Sequence, residues 1–517
     1  MQNKAVTVLI IIVMLVISSS IVSAHTLSWE FYNDVLVSNA DTGYRKIEAH
    51  IMRHPTDSNM LMAAFLDYAA YSGAETRCRV ATSTDGGATW TDRGYIPLPT
   101  GTYISKDPVV AVSKVGDIVR WYVACLALSD RVDLYNNNDV SKIYYSTSTD
   151  NGATWSSPIV VADATCIDDN ATYDYPYANE DCPIVDKPWI AVNGSNVYLC
   201  WARMSDVAAW RYKDNSGNYP YSSPIAIYFK RVGSTGDPIK LDSGTSWQAN
   251  NMRSDRSVQG CNIAVNTSNG IIYVAWTKLT GDNTASIRLK RSFDNGNTFD
   301  SSQIIASPSR IPTTAGTCKD AFGCVIGIAI NGQQSGFRVN NFPYLAIDSS
   351  NNLHVVWTGY ASTASPPNTN IMYKQITNCT TQGQNCSISS AVNIVNEGTA
   401  NKDQFHPSIT FSSRTNTLIV TALDRRDSTD NTLWRPISYH CHLNVNTCTS
   451  SSHWSTSSIG PQSTNSDVEG TQTKTHNYIG SYYNVTSNAR EAYNLWLDNR
   501  TVNLNSKLRI WLDRTTT

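Results

Sequence analysis

The chain has 517 residues, with 40 Lys and Arg against 42 Asp and Glu, a formal net charge of −2. That balance excludes the electrostatic footprint of a nucleic-acid-binding protein. Only 16% of residues are charged while Asn, Ser and Thr abound, a surface chemistry suited to an extracellular protein.

Residues 1–24 carry Lys4, an apolar run over 5–17 and the small-residue site Val22-Ser23-Ala24. Together they read as a secretory signal peptide, removed before His25. The run is short for a membrane span and no later stretch approaches about 18 apolar residues, so no span is expected after cleavage. Export predicts oxidised cysteines, and the chain has 12. Cys166 and Cys182, Cys318 and Cys324, Cys379 and Cys386, and Cys441 and Cys448 are close in sequence, without C-x-x-C or His clustering. That pattern predicts disulfides rather than zinc. Cys78, Cys125, Cys200 and Cys261 are left to pair across neighbouring strands, in an order the sequence does not give. Seven N-x-[ST] sequons, Asn193 and Asn484 among them, are compatible with a glycoprotein.

From residue 25 onward one unit recurs seven times: a short apolar strand, a turn, and a second apolar strand. The first strands are read at 49–52, 108–112, 189–192, 262–265, 344–347, 408–411 and 479–483. The second strands are read at 60–66, 118–126, 196–202, 271–277, 353–358, 417–423 and 492–497. Short alternating runs separated by Asn, Gly and Asp turns predict antiparallel β structure throughout. No helical pattern longer than about ten residues appears. Seven such units of four strands make an all-β propeller, which would use residues 25–517 as one domain. The last unit has a third strand at 508–512 and then runs out of chain. Residues 30–37 stand before the first unit, placed to supply its missing outer strand and so close the ring.

A second repeat punctuates these units. Ser83-Thr-Asp-Gly-Gly-Ala-Thr-Trp90 returns as Ser148-Thr-Asp-Asn-Gly-Ala-Thr-Trp155 and as Ser292-Phe-Asp-Asn-Gly-Asn-Thr-Phe299. Ser and Asp side chains can bond the turn's own N–H groups, Gly supplies positive φ, and the aromatic packs back over the hairpin. Their Asp residues lie 65 and 144 positions apart, consistent with one repeat unit and then two. This S-x-D-x-G-x-T-[WF] pattern resembles the Asp-box, or BNR, repeat of sialidase-like β-propellers. The resemblance extends to Asp186-Lys-Pro-Trp-Ile-Ala-Val192, Phe342-Pro-Tyr-Leu-Ala-Ile-Asp348 and Leu495-Trp-Leu-Asp-Asn-Arg500, and so covers nearly all of the mature chain. It implies secretion and a binding mouth on the face opposite the Asp-box turns. Enzymatic sialidases have six blades; seven are favoured here, with six as the alternative. Units five and six lack the box and carry Cys379…Cys386 and Cys441…Cys448 in its place, which reads as a hairpin-clamping disulfide.

On such a scaffold first strands start, and second strands end, at the mouth. Counting along the units places Glu48, Asp107, Asp186, Lys187, Arg338, His406 and Tyr478 there from first strands. Asp67, Arg203, Arg425 and Arg500 come from second strands. Of these, Asp186, Lys187, Arg203, Arg338, His406, Arg425 and Arg500 are candidate ligand-binding residues. Trp210, on a long loop, offers a flat face for stacking on a sugar. Asp168, Asp169 and Asp174 crowd another long loop and are candidate Ca²⁺ ligands, although no cofactor is required. Sialidases hold the substrate carboxylate with three arginines and use a Tyr nucleophile assisted by Glu, with an Asp acid/base. By resemblance Arg45, Glu48, Asp67 and Tyr478 are the catalytic candidates, and a complete arginine triad is not matched. The leading expectation is a secreted propeller recognising extracellular glycans or glycoproteins through its mouth. The alternatives are a sialidase-type exo-glycosidase and a structural component of an extracellular assembly.

Overall fold

The structure is a computed structural model. It describes residues 35–38, 46–68, 76–129, 140–165, 184–204, 225–244, 258–281, 284–307, 327–328, 337–360, 368–395, 402–428, 434–459, 482–487, 491–498 and 509–516.

Seven antiparallel sheets form a seven-bladed β-propeller, as the repeat count predicts. The first strands of blades one to six are Lys46–Arg53, Ile104–Val115, Ile184–Asn193, Val258–Val265, Tyr344–Ile347 and Gln404–Ser412. In blade seven the first strand is Val485–Ser487, later than the expected 479–483. The second strands, Leu61–Asp67, Ile118–Leu128, Asn196–Met204, Ile272–Gly281, Leu353–Tyr360, Thr417–Asp424 and Glu491–Asp498, match the sequence reading closely. The fourth position of blade five is split between Ser387–Ile388 and Val392–Asn393. A small ribbon of Gly327–Ile328 with Phe337–Arg338 was not anticipated.

Blade seven shows how the ring closes. Its third strand, Arg509–Thr516, pairs on one side with Glu491–Asp498 and on the other with Val35–Leu36 from the N-terminal end. Val35 stands opposite Leu512 and Leu36 opposite Trp511. The sheet thus gains its outer strand from the far end of the sequence.

Second strands read as continuous apolar runs because both of their faces are covered. Leu61–Asp67 is buried at every position. Leu61, Ala63 and Phe65 pack with Leu495 and Leu512 of blade seven. Met62 and Ala64 turn the other way, onto Val110, Trp121 and Val123 of blade two. Alternate side chains of one strand therefore serve two different neighbours, which follows from the period of two.

The three Ser-x-Asp turns share one hydrogen-bond pattern. The Ser148 hydroxyl donates to Asp150 Oδ1 at 2.7 Å and accepts from the Gly152 amide at 2.8 Å. Asp150 accepts from the amide and hydroxyl of Thr154, at 2.9 and 2.5 Å. The Thr154 hydroxyl is the main cause that holds the Asp150 carboxyl down at about 2. The same bonds recur around Asp85 and Asp294. Each turn also touches the preceding blade. The Gly86 carbonyl accepts from Arg514 of blade seven, and Tyr198 of blade three donates to Asn295. Blade five carries a disulfide at this place instead, Cys379–Cys386. There the Arg291 guanidinium of blade four reaches the Cys379 and Gln384 carbonyls at 2.9 and 2.6 Å.

Cys441–Cys448 clamps the matching hairpin of blade six, as expected. The remaining described disulfides join blades: Cys78–Cys125 ties one to two and Cys200–Cys261 ties three to four. Cys166, Cys182, Cys318 and Cys324 lie outside the described residues. Among the described residues no helix is long and apolar enough to cross a membrane.

The packing of the turns is testable with two glycines. Gly296 and Gly233 have φ of +82° and +81°, but a Cβ at 296 would lie 2.8 Å from the Phe229 ring whereas 233 faces open space. Gly233→Ala should cost about 1 kcal/mol of backbone strain. Gly296→Ala should cost roughly 1–3 kcal/mol more through overpacking. Thermal unfolding of the two variants side by side measures the difference.

Candidate functional site at the axial ring

The inner strands share a defect at one level. Pairing skips between Ile47 and His50, Lys106 and Val109, Asp186 and Trp189, Gln259 and Asn262, and Phe405 and Ser408. At each skip one residue is left-handed: Glu48 (φ 53°), Asp107 (54°), Lys187 (51°), Gly260 (65°) and His406 (53°). Asp107, Lys187 and His406 each precede a proline, Pro108, Pro188 and Pro407. Proline has no N–H to give to the ladder, so a bulge at this point loses little pairing. By count from Tyr344, opposite Val356, Phe342 holds the same position in blade five. By count from Asn484, whose carbonyl accepts from Leu495, Tyr482 holds it in blade seven. Seven blades thus present Glu48, Asp107, Lys187, Gly260, Phe342, His406 and Tyr482 at one level around the axis. Left-handed backbone at a non-glycine residue costs about 1–3 kcal/mol, here borne by four residues of strongly polar character.

Three of these meet. Lys187 Nζ lies 3.0 Å from Glu48 Oε1 and 2.5 Å from Asp107 Oδ1. The side chains of Glu48 and Asp107 are 2% and 4% exposed and that of Lys187 14%, so the ammonium is the outermost member. Burial, first of all, and then the neighbouring Glu48 carboxyl push the Asp107 carboxyl well above the ordinary range, against the pull of Lys187. Asp107 also shares a hydrogen bond with Glu48. The trio is a buried carboxyl pair, with Asp107 disposed to hold its proton, capped by one ammonium. Asp186 stands beside it and accepts from the Lys187 amide at 2.9 Å.

An aromatic plug backs the trio. Trp189 of blade three touches the rings of His50 (5.3 Å), Tyr344 (5.9 Å) and Tyr482 (6.0 Å), from blades one, five and seven. The Tyr482 hydroxyl donates to the Pro108 carbonyl at 3.1 Å. Burial lowers His50 to about 3, so its imidazole is neutral. Gly260 completes the ring by omission: a Cβ there would lie 2.1 Å from the Phe342 ring, which takes the space.

The other sequence candidates are placed as follows. Asp67 is fully buried between Lys46, at 2.5 Å, and Arg79, at 2.8 Å, so its carboxylate is neutralised within blade one. His406 is buried against the rings of Phe405 and Tyr483. Arg425 is buried over the Phe405 ring, 3.7 Å from Asp403. Arg203 is partly buried near the end of its strand, opposite Val185. The backbone of Arg338 pairs with Gly327 in the small ribbon. Arg45, Tyr478, Arg500, Trp210, Asp168, Asp169 and Asp174 lie outside the described residues. Among the described residues no three His, Cys, Asp or Glu side chains are grouped to hold a metal. Asp107, placed at the mouth by strand counting but given no role, is the residue whose importance the sequence reading missed. The recurring x-Pro at that position in blades two, three, five and six was the available signal.

Exposed apolar residues divide between the two ends of the blades. Tyr103, 69% exposed, precedes the first strand of blade two, and Tyr95, 36% exposed, ends the fourth strand of blade one. Both therefore stand at the mouth, where Arg77 and Arg79 lie over the Tyr95 ring at 5.2 and 4.8 Å. Val115, Ile118 and Val445, exposed aliphatics, stand at turns of the opposite face.

No protein-family model matches the chain, and no curated protein does. Among solved structures, it is similar to a GH93 α-L-arabinofuranosidase of Fusarium graminearum at 11% identity and a TM-score of 0.45, over 94% of this chain and 97% of that one. A Dyadobacter fermentans protein of unknown function is 12% identical with a TM-score of 0.42, over 77% and 94%. A Trypanosoma rangeli sialidase is 12% identical with a TM-score of 0.35, over 75% and 53%.

The trio predicts a pH signature. A carboxyl raised on folding contributes most below its unfolded value of about 4, and that contribution is lost as pH climbs through the folded value. Asp107→Asn removes the effect, so its melting temperature relative to wild type should rise between about pH 4 and pH 8. Lys187→Met, which strands two buried carboxyls, should cost about 3–5 kcal/mol, and chemical denaturation at neutral pH reads that loss.

Proposed function

We propose that this protein is an extracellular glycan-recognition propeller that binds sugars at its mouth. The observation that carries the reading is the pairing of an exposed aromatic rim, Tyr103 with Tyr95, with a strand-borne polar ring on the axis. Sugars offer hydroxyls to fixed charged and polar groups and a C–H face to an aromatic plane. Strand-borne groups are held more rigidly than loop residues, which suits recognition by geometry. The four described disulfides fit an oxidising compartment, and a signal peptide at 1–24 would deliver the chain there.

A second reading has its own observation. Burial and the Glu48 carboxyl push the Asp107 carboxyl well above the ordinary range, and a raised carboxyl next to a second one is the equipment of acid-catalysed glycoside hydrolysis. In that case Asp107 would protonate a leaving oxygen and Glu48 would stabilise the developing positive charge. Turnover of a panel of fluorogenic glycosides, an α-sialoside included, abolished by Asp107→Asn would favour this reading over binding alone.

Glycan-array binding by the purified protein tests the leading proposal. Tyr103→Ala should weaken a positive signal about tenfold, in line with roughly 1–1.5 kcal/mol for an aromatic stacking contact, while leaving the melting temperature unchanged. Absence of binding to every glycan would sink the proposal.

A further inference from the structure

Resting on the glycan reading above, we infer that the axial site selects uncharged sugars and turns away those bearing a carboxylate, sialic acids included. Among the described residues the trio and its neighbour bring together three carboxyl groups, Glu48, Asp107 and Asp186, and one ammonium, Lys187. That ammonium is already engaged, 3.0 Å from Glu48 and 2.5 Å from Asp107. A ligand carboxylate would have to draw Lys187 off both partners and then sit beside them. Hydroxyl groups face no such penalty, since they donate to Glu48 or Asp186 and accept from Lys187 without adding charge.

Arginine is the usual answer to a carboxylate, through its two-pronged fork. Four of the described arginines toward the mouth are already occupied by carboxylates. Arg79 is bound by Asp67 and Asp92, Arg426 by Asp424 and Arg435 by Asp427, while Arg425 lies buried 3.7 Å from Asp403. Each positive charge was matched within the fold before any ligand arrived. Arg77, which lies over the Tyr95 ring and donates to the Ile96 carbonyl at 3.3 Å, and Arg203, partly buried at its strand end, have no carboxylate partner among the described residues, and they stand on separate blades, one and three. The raised carboxyl of Asp107, pushed up first by burial and then by the Glu48 and Asp186 carboxyls, agrees with this count.

The experiment uses the full mature protein and matched oligosaccharides that differ only in a terminal sialic acid. The neutral member of each pair should bind at least tenfold more tightly, about 1.4 kcal/mol. Glu48→Gln and Asp186→Asn should each narrow that ratio by removing a carboxylate. Asp186 is only partly buried, so its variant keeps the test decisive if Glu48→Gln does not fold, which circular dichroism will report. Equal or tighter binding of the sialylated member overturns the inference while leaving glycan recognition intact, the more so if Arg203→Ala abolishes it. Binding to neither member of any pair overturns both.

Discussion

The structure depends on the face-to-face contact between neighbouring blades. An isolated four-stranded sheet of this kind has two apolar faces and can satisfy neither alone. Each central strand therefore sends alternate side chains to opposite neighbours, as Leu61–Asp67 does, and every blade is stabilised by the two beside it. The Ser-x-Asp turns, the Arg291 clasp on the Cys379–Cys386 hairpin and the two inter-blade disulfides act at the same seam. Such a ring leaves little freedom for blades to slide. That rigidity lets five inner strands hold a bulge at the same height.

The axial ring follows from that regularity. Repetition places left-handed backbone at five of the seven positions, and the sequence then varies the side chain. Four bulge residues accept left-handed geometry with a charged or imidazole side chain, while Gly260 is bare so that Phe342 has room. The outcome is asymmetric chemistry on a nearly symmetric frame. Blades one to three hold the charges, and the aromatic plug from blades one, three, five and seven seals the axis beneath them.

Much of this was legible in the sequence because it rests on local signals. Two-sided burial makes second strands stand out as apolar runs, and the seven-residue cysteine spacing identifies hairpin clamps in blades five and six. Strand counting placed Glu48, Asp186, Lys187 and His406 near the mouth. What failed depends on tertiary relations. The first strand of blade seven is expected too early because Tyr482 and Tyr483 have strand propensity, yet ladder pairing begins only beyond them, at Val485. Cys78–Cys125 and Cys200–Cys261 are 47 and 61 residues apart, and only the adjacency of blades selects those partners. The Glu48–Asp107–Lys187 trio joins residues separated by up to 139 positions, so no spacing rule could reveal it. Asp67, a plausible acid by position, is instead consumed by Lys46 and Arg79.

The closure of blade seven has a consequence for how the molecule is made. Val35 and Leu36 leave the ribosome early, but their partners Leu512 and Trp511 emerge among the last residues of the sequence. Until then the seventh sheet lacks an outer strand and the ring has an open seam. Blades one to six can assemble in order as they appear, since their strands are sequential. The final step joins segments from opposite ends of the chain, the costliest kind of contact in loop entropy. Ring closure is therefore a latch between distant segments. A chain without Arg509–Thr516 would leave Val35–Leu36 and Glu491–Asp498 without their shared partner, as an unzipped sheet edge.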